Sequence, residues 1–114
     1  MSLTNFTNLM THTVNLRKRN RDYKGDFVDV DTNELKGFVQ YGNHYTTNEN
    51  KEKLLSSAIV FLSDSAIPYI DISHENYMID QTSPYVRSNM EVLKIDPIDD
   101  PRTGKTHHFE IYVR

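Results

Sequence analysis

The stretch that decides the fold is Asn89–Arg114, NMEVLKIDPIDDPRTGKTHHFEIYVR, which reads as one long β-hairpin with its turn spelled out. In its second arm Phe109, Ile111 and Val113 alternate with His108, Glu110 and Tyr112, and a two-residue period sends one set to a core face and the other outward. The first arm, Glu91 to Ile95, is equally rich in strand formers. Between the arms, Asp99 to Lys105 supplies the turn: Pro101 fits the second position of a type I turn, and Gly104 can take the positive φ that rejoins the strand. The sequence ends on the strand without a polar tail, so Ile111 and Val113 are expected to be held by neighbours.

Composition sets the limits around this hairpin. A chain of 114 residues is expected to form one domain that hides only about two thirds of its unfolded surface. With 37% hydrophobic and 25% charged residues it belongs among globular chains, on the polar side, rather than among disordered or fibrous ones. The absence of cysteine excludes a disulfide frame, a thiolate metal site and a cysteine nucleophile. No apolar run approaches the roughly 18 residues of a membrane span, and Met1 to Met10 lacks the basic start and apolar centre of a signal peptide. A soluble, unprocessed chain without membrane contact is therefore expected. A net charge of −3 gives no overall drive toward nucleic acid, so any such contact has to come from a local patch.

Upstream of the hairpin, residues 1–10 space Leu3, Phe6, Leu9 and Met10 for a turn or two of helix, too short to stand alone, and read as an arm that docks on something. Residues 11–114 are then a single domain. His12, Val14 and Leu16 alternate with Thr13, Asn15 and Arg17 in a first strand, which runs into the basic cluster Arg17, Lys18, Arg19, Arg21 and Lys24. Such a cluster can grip a phosphate backbone or an acidic partner; a solvated strand end is the plainer reading of the same residues. After a turn at Lys24-Gly25-Asp26, Phe27, Val28 and Val30 make a short second strand that breaks at Asp31-Thr32-Asn33. Leu35, Gly37, Val39 and Tyr41 make a better one, in which Gly37 marks a bulge or a close backbone crossing.

Gly42 ends that strand. Asn43, His44, Tyr45, Thr46, Thr47, Asn48, Glu49, Asn50 and Lys51 follow, polar except for Tyr45, and a loop inserted over 42–55 is expected, either mobile or reserved for contact with another molecule. Leu54, Leu55, Ala58, Ile59 and Leu62 fall on one helical stripe, yet Ala58-Ile59-Val60-Phe61-Leu62 suits a strand buried on both faces. Of these two readings, the strand over Ser57 to Leu62 is adopted. Tyr69 to Ile72 and Tyr77 to Ile79 read as two short strands around a turn at His74-Glu75-Asn76. The sum is a mostly β chain, a small antiparallel β-barrel with a long internal loop and an N-terminal arm.

Chemistry is thinly represented. Adjacent strand residues point to opposite faces, so His107 and His108 are not expected to chelate one metal together. Asp71, His74, Glu75 and Asp80 could gather into a composite metal site, although turn residues bonding their own backbone explain them more simply. Asp96, Asp99 and Asp100 flank prolines in an exposed turn, where unperturbed carboxyls are expected. Thr103-Gly104-Lys105-Thr106 imitates the end of a phosphate-binding loop without its first glycine or its strand-to-helix setting. Tyr41, Tyr45 and Tyr85 could serve as stacking platforms of an OB-like nucleic-acid-binding module. No enzymatic activity and no cofactor is expected.

The runs Tyr77-Met78-Ile79-Asp80, Met90 to Ile98, Asp100 to Lys105 and Glu110 to Val113 resemble the C-terminal half of head-closure proteins of long-tailed bacteriophages, also called stoppers or head-tail connectors. Asp22 to Asp26, Glu34 to Tyr41 and Ser56 to Val60 are similar to the same family, so the likeness spans most of the chain after Thr11. The resemblance implies a structural virion protein of the phage neck, made in the bacterial host cytoplasm and assembled, typically as a dodecameric ring, below the portal and its adaptor. It implies a tail-completion protein beneath the ring and double-stranded DNA in its channel, held without sequence specificity. In related stoppers a long loop projects into the channel and closes it, and Gly42 to Leu55 is the positional match. Arg17, Lys18, Arg19, Arg21 and Lys24 would then face the DNA or an acidic partner, loosely held. A neighbouring neck role, such as tail terminator, is the nearest alternative.

Overall fold

The computed structural model describes residues 8–47, 50–74 and 76–114. Its elements, in order, are β1 (His12–Arg21), β2 (Phe27–Thr47), β3 (Lys53–Ser63), a 3-10 helix (Asp64–Tyr69), β4 (Tyr77–Ser83), β5 (Arg87–Asp99) and β6 (Thr106–Val113). The strands pair antiparallel in one sheet that closes on itself in the order β1-β2-β3-β6-β5-β4. Closure removes the open edges that a six-stranded sheet would otherwise present.

Two strands are long enough to take their two partners in succession along their length. β2 pairs with β1 from Phe27 to Gly37 and with β3 from Gly37 to Thr47. The handover residue faces His12 on one side and Leu62 on the other. A Cβ at Gly37 would lie 2.7 Å from both Leu62 Cδ2 and the Phe61 carbonyl oxygen, so this corner is a close crossing and not a bulge. β5 changes partner in the same way, facing β4 through Glu91 and β6 from Val92 onward.

Inside the ring lie Val14 and Leu16 from β1, Val39 from β2, Val60 and Leu62 from β3, Ile79 from β4 and Ile111 and Val113 from β6, every one fully or nearly fully buried. These are alternate residues of each strand; the two-residue period marked those of β1, β2 and β6, whereas the β3 run read as buried on both faces. Ile59 and Phe61 are only half-buried, so the apolar run of β3 has one core face and one partly covered outer face. Gln81 is the large polar side chain in this interior: its Oε1 accepts the Tyr41 hydroxyl and its Nε2 donates to the Ser83 carbonyl at 3.2 Å.

The C-terminal hairpin forms as its sequence dictates. Thr103 N–H and Gly104 N–H both donate to the Asp100 carbonyl, at 3.2 and 2.8 Å, and Gly104 takes φ +70°. Three expectations change. β2 runs unbroken through Asp31-Thr32-Asn33, because these polar residues pair with Lys18, Arg17 and Leu16 across the ladder. Tyr69 to Ile72 is no strand: the 3-10 helix takes Pro68 and Tyr69, and the Asp71 N–H donates to the buried Tyr77 hydroxyl at 2.9 Å instead of to a ladder. The segment expected as a loop over 42–55 is strand at both ends, Gly42–Thr47 continuing β2 and Lys53–Leu55 opening β3. Of the N-terminal arm, residues 1–7 lie outside the described residues; Leu9 is exposed and Met10 buried.

Candidate functional site

The first candidate is the distal β2–β3 hairpin. β3 pairs with β6 only from Ala58 to Ser63, whereas its ladder with β2 continues through Ser56, Leu55 and Leu54 to Lys53. Five residues beyond the last shared rung, at about 3.4 Å each, carry the hairpin about 17 Å past the closed sheet. The base is firmly held. Ser56 Oγ sits 2.6 Å from the Ala58 carbonyl oxygen and 2.8 Å from that of Val113, so its single proton is shared between two acceptors. Arg87 donates to Ser57 Oγ at 3.1 Å and lies 5.2 Å from the Tyr41 ring centroid.

Toward the tip, Tyr45 and Leu55 face each other on the outer side, 64% and 46% exposed, with Lys53 Nζ stacked 4.2 Å from the Tyr45 ring centroid. Thr46 is buried on the opposite side, His44 is half-buried with a shielded Nε2, and Lys51 adopts φ +61° beyond the last rung at Thr47 and Lys53. Asn43 and Thr47 are exposed strand residues and Asn50 is exposed; Asn48 and Glu49 lie outside the described residues. The sequence hid this hairpin because its inward row, His44, Thr46, Leu54 and Ser56, holds a single apolar residue and leaves no apolar alternation.

The second candidate is the basic cluster, which the fold divides. Arg17 is not loosely held: its Nε lies 2.8 Å from Asp80 Oδ2, its Nη2 donates to Asn89 Oδ1 at 2.7 Å, and its Nη1 reaches Asp29 at 3.4 Å. Asp80 in turn accepts the Asn89 N–H at 2.6 Å, where Asn89 stands at φ +61°. The network clamps β1 to β2, β4 and β5, and its acidic members lie 12 and 63 residues from Arg17, beyond any local pattern. Lys18 is half-buried, and Lys24 is exposed with Nζ 5.6 Å from the Tyr23 ring centroid.

Arg19 and Arg21 are placed differently. Their guanidinium carbons lie 4.7 and 4.2 Å from the centroid of one ring, Phe27, and with His74 and Asn76 they line an open cleft of ≈310 Å³. Arg21 donates to the Gly25 carbonyl at 2.7 Å, and Arg19 Nε is shielded from solvent without a hydrogen-bond partner among the described residues. Phe27, His74 and Asn76 were not singled out with the basic cluster in the sequence, because no spacing rule joins residues 27 and 74 to 19 and 21.

The composite metal reading fares differently. Asp71 accepts from Ser73, at 2.6 Å from the hydroxyl and 3.0 Å from the N–H, while Asp80 is committed to Arg17. The Ser73 hydroxyl, more than any other influence, holds the Asp71 carboxyl below its ordinary pKa. Among the described residues no group of three or more His, Asp or Glu side chains could hold a metal; Glu75 lies outside them. Asp100 departs from its expectation, since the Arg102 side chain, at 3.1 Å, holds its carboxyl below the usual value. His107 and His108 do meet, with Nδ1 atoms 2.9 Å apart. A register shift after Ile98 pairs Ile98 with His108 and Asp99 with Thr106, so His107 is an extra residue and strict alternation fails there.

Comparison with family models, with curated proteins and with solved structures finds no match to this chain. No helix among the described residues is long and apolar enough to cross a membrane.

Proposed function

We propose that this chain is a structural subunit of a bacteriophage neck, a head-closure protein that assembles as a ring below the portal and adaptor and closes the DNA channel. The observation that carries this reading is the hairpin beyond Ala58: a segment fixed at its base by Ser56, Tyr41 and Arg87 and exposed at its tip. An element that blocks a channel has to project from a rigid body and retract without unfolding it. A two-stranded extension outside the core meets both requirements, because its opening leaves the apolar core undisturbed. The sequence likeness from Asp22 to Val113 supports the same assignment.

In this role the closed sheet is scaffold, and neighbouring copies meet heterologously around the ring, as closed rings require. Tyr45 and Leu55 supply apolar contact at the tip, and double-stranded DNA is the molecule retained. The OB-like alternative is weaker because Tyr41 and Tyr45 each carry a cation over the ring, Arg87 and Lys53, where a base would stack. The strand-rich fold also favours head closure over a tail terminator, which combines helices with a sheet. Replacing Tyr45–Leu55 with Asn-Gly closes the ladder directly on the His44–Ser56 rung and keeps the Ser56 anchor. The expected result is a folded subunit whose assembled particles lose packaged DNA. Full DNA retention by particles that contain the shortened subunit overturns the assignment.

A further inference from the structure

We propose that the cleft between the β1–β2 turn and the segment before β4 is a binding site for a phosphate group, held by Arg19 and Arg21. The two arginines stand two residues apart on β1 and share the Phe27 ring. Stacking on an aromatic face fixes a guanidinium plane in advance and leaves its N–H edge for a ligand. Arg21 spends one donor on the Gly25 carbonyl, and Arg19 Nε has no hydrogen-bond partner among the described residues. The nearest acidic residue across the ladder, Asp29, pairs with Arg19 in register, yet its carboxylate is taken by Arg17.

The opposite wall is tied to the same strand. His74 donates Nε2–H to the Arg19 carbonyl at 2.7 Å, and the Asn76 carbonyl accepts the Arg19 N–H at 2.9 Å, so the backbone that presents the guanidinium is held on both sides. The Ser73 hydroxyl is already committed to Asp71, which leaves the guanidinium edges as the donors for a ligand in a cleft that Asn20 and Asn76 also line. Its volume of ≈310 Å³ lies at the lower end of the range of small-ligand sites, about 300–1,000 Å³. A tetrahedral phosphate presents oxygens enough for two guanidinium forks at once.

The site stands independently of the neck assignment, which bears only on where the phosphate comes from: in a DNA channel it would be the phosphodiester backbone. The test is an amide-resolved NMR titration of the full chain with inorganic phosphate and, separately, with a short DNA duplex. Saturable shifts at Arg19, Arg21 and Asn76 are expected. Arg19→Gln should weaken binding about tenfold, and Lys24→Gln, the same charge change outside the cleft, by less than about twofold. Arg21→Lys keeps the charge but removes the fork, and should also weaken binding, which preserves the test should Arg19→Gln perturb the fold. Tighter binding of duplex than of inorganic phosphate at these amides assigns the site to a phosphodiester backbone; response to inorganic phosphate alone assigns it to a free phosphate. No saturable shift with either probe, or equal weakening by Arg19→Gln and Lys24→Gln, overturns the proposal. DNA retention by hairpin-shortened particles is unaffected by either result, so the two readings fail separately.

Discussion

Gly37→Ala is the sharpest perturbation of this fold. The added methyl group would sit 2.7 Å from Leu62 Cδ2 and 2.7 Å from the Phe61 carbonyl oxygen. Leu62 is fully buried and cannot swing aside freely, and the carbonyl belongs to the β3 backbone, so relief requires β2 and β3 to separate at the corner where β2 changes partners. Overpacking of this kind costs about 1–3 kcal/mol, and the backbone contact places this case at about 2 kcal/mol or more. For a domain of this size the melting temperature should fall by about 8–12 °C. Gly104→Ala is the control: a Cβ there meets nothing within 4 Å, and the penalty is the φ of +70° alone, about 1 kcal/mol. Thermal melts followed by circular dichroism, with urea midpoints alongside, compare the two. If Gly37→Ala melts within about 2 °C of the parent, or no lower than Gly104→Ala, the corner is not the steric closure point described here.

Three further outcomes follow from the same geometry. Arg17→Met should destabilise by about 1–3 kcal/mol, less than a fully buried pair because its partners are part-exposed, and a double-mutant cycle with Asp80→Asn should show favourable coupling in urea denaturation. Burial pushes the His108 imidazole below its ordinary pKa, so the folded state prefers it neutral; stability should fall as pH drops through about 6.5, and His108→Gln should flatten that part of the pH–melting curve. Tyr45→Ser with Leu55→Ser removes an exposed cross-strand pair worth about 0.2–1 kcal/mol, so the monomer should melt nearly unchanged while assembly, followed by sedimentation, weakens.

Much of the scaffold was legible in the sequence. Asp100, Pro101 and Gly104 spell the last turn, and Val14, Leu16, Val39, Ile111 and Val113 mark the core by alternation, because both signals are local. What the sequence concealed depends on cross-strand partners. Asp31-Thr32-Asn33 looked like a break, since their pairing with Lys18, Arg17 and Leu16 belongs to another strand. Tyr69 to Ile72 carried strand-forming residues, but Pro68 and the Tyr77 hydroxyl took that backbone elsewhere. The hairpin of residues 43–55 lacked an apolar period because it leaves the core. Arg17 joined the basic cluster by composition and left it by structure, its charge matched by Asp29 and Asp80. Phe27 and His74 made the opposite passage, joining Arg19 and Arg21 of the cluster in one cleft.

The most direct test of the neck assignment is electron microscopy of a purified phage neck containing this chain, reconstructed to the level at which strands are resolved. The account predicts a closed ring of copies, twelve being the expected number, beneath the adaptor, with the hairpins beyond Ala58 converging on the channel axis. A ring with those hairpins turned outward, or copies of this chain placed elsewhere than in a ring beneath the adaptor, contradicts it.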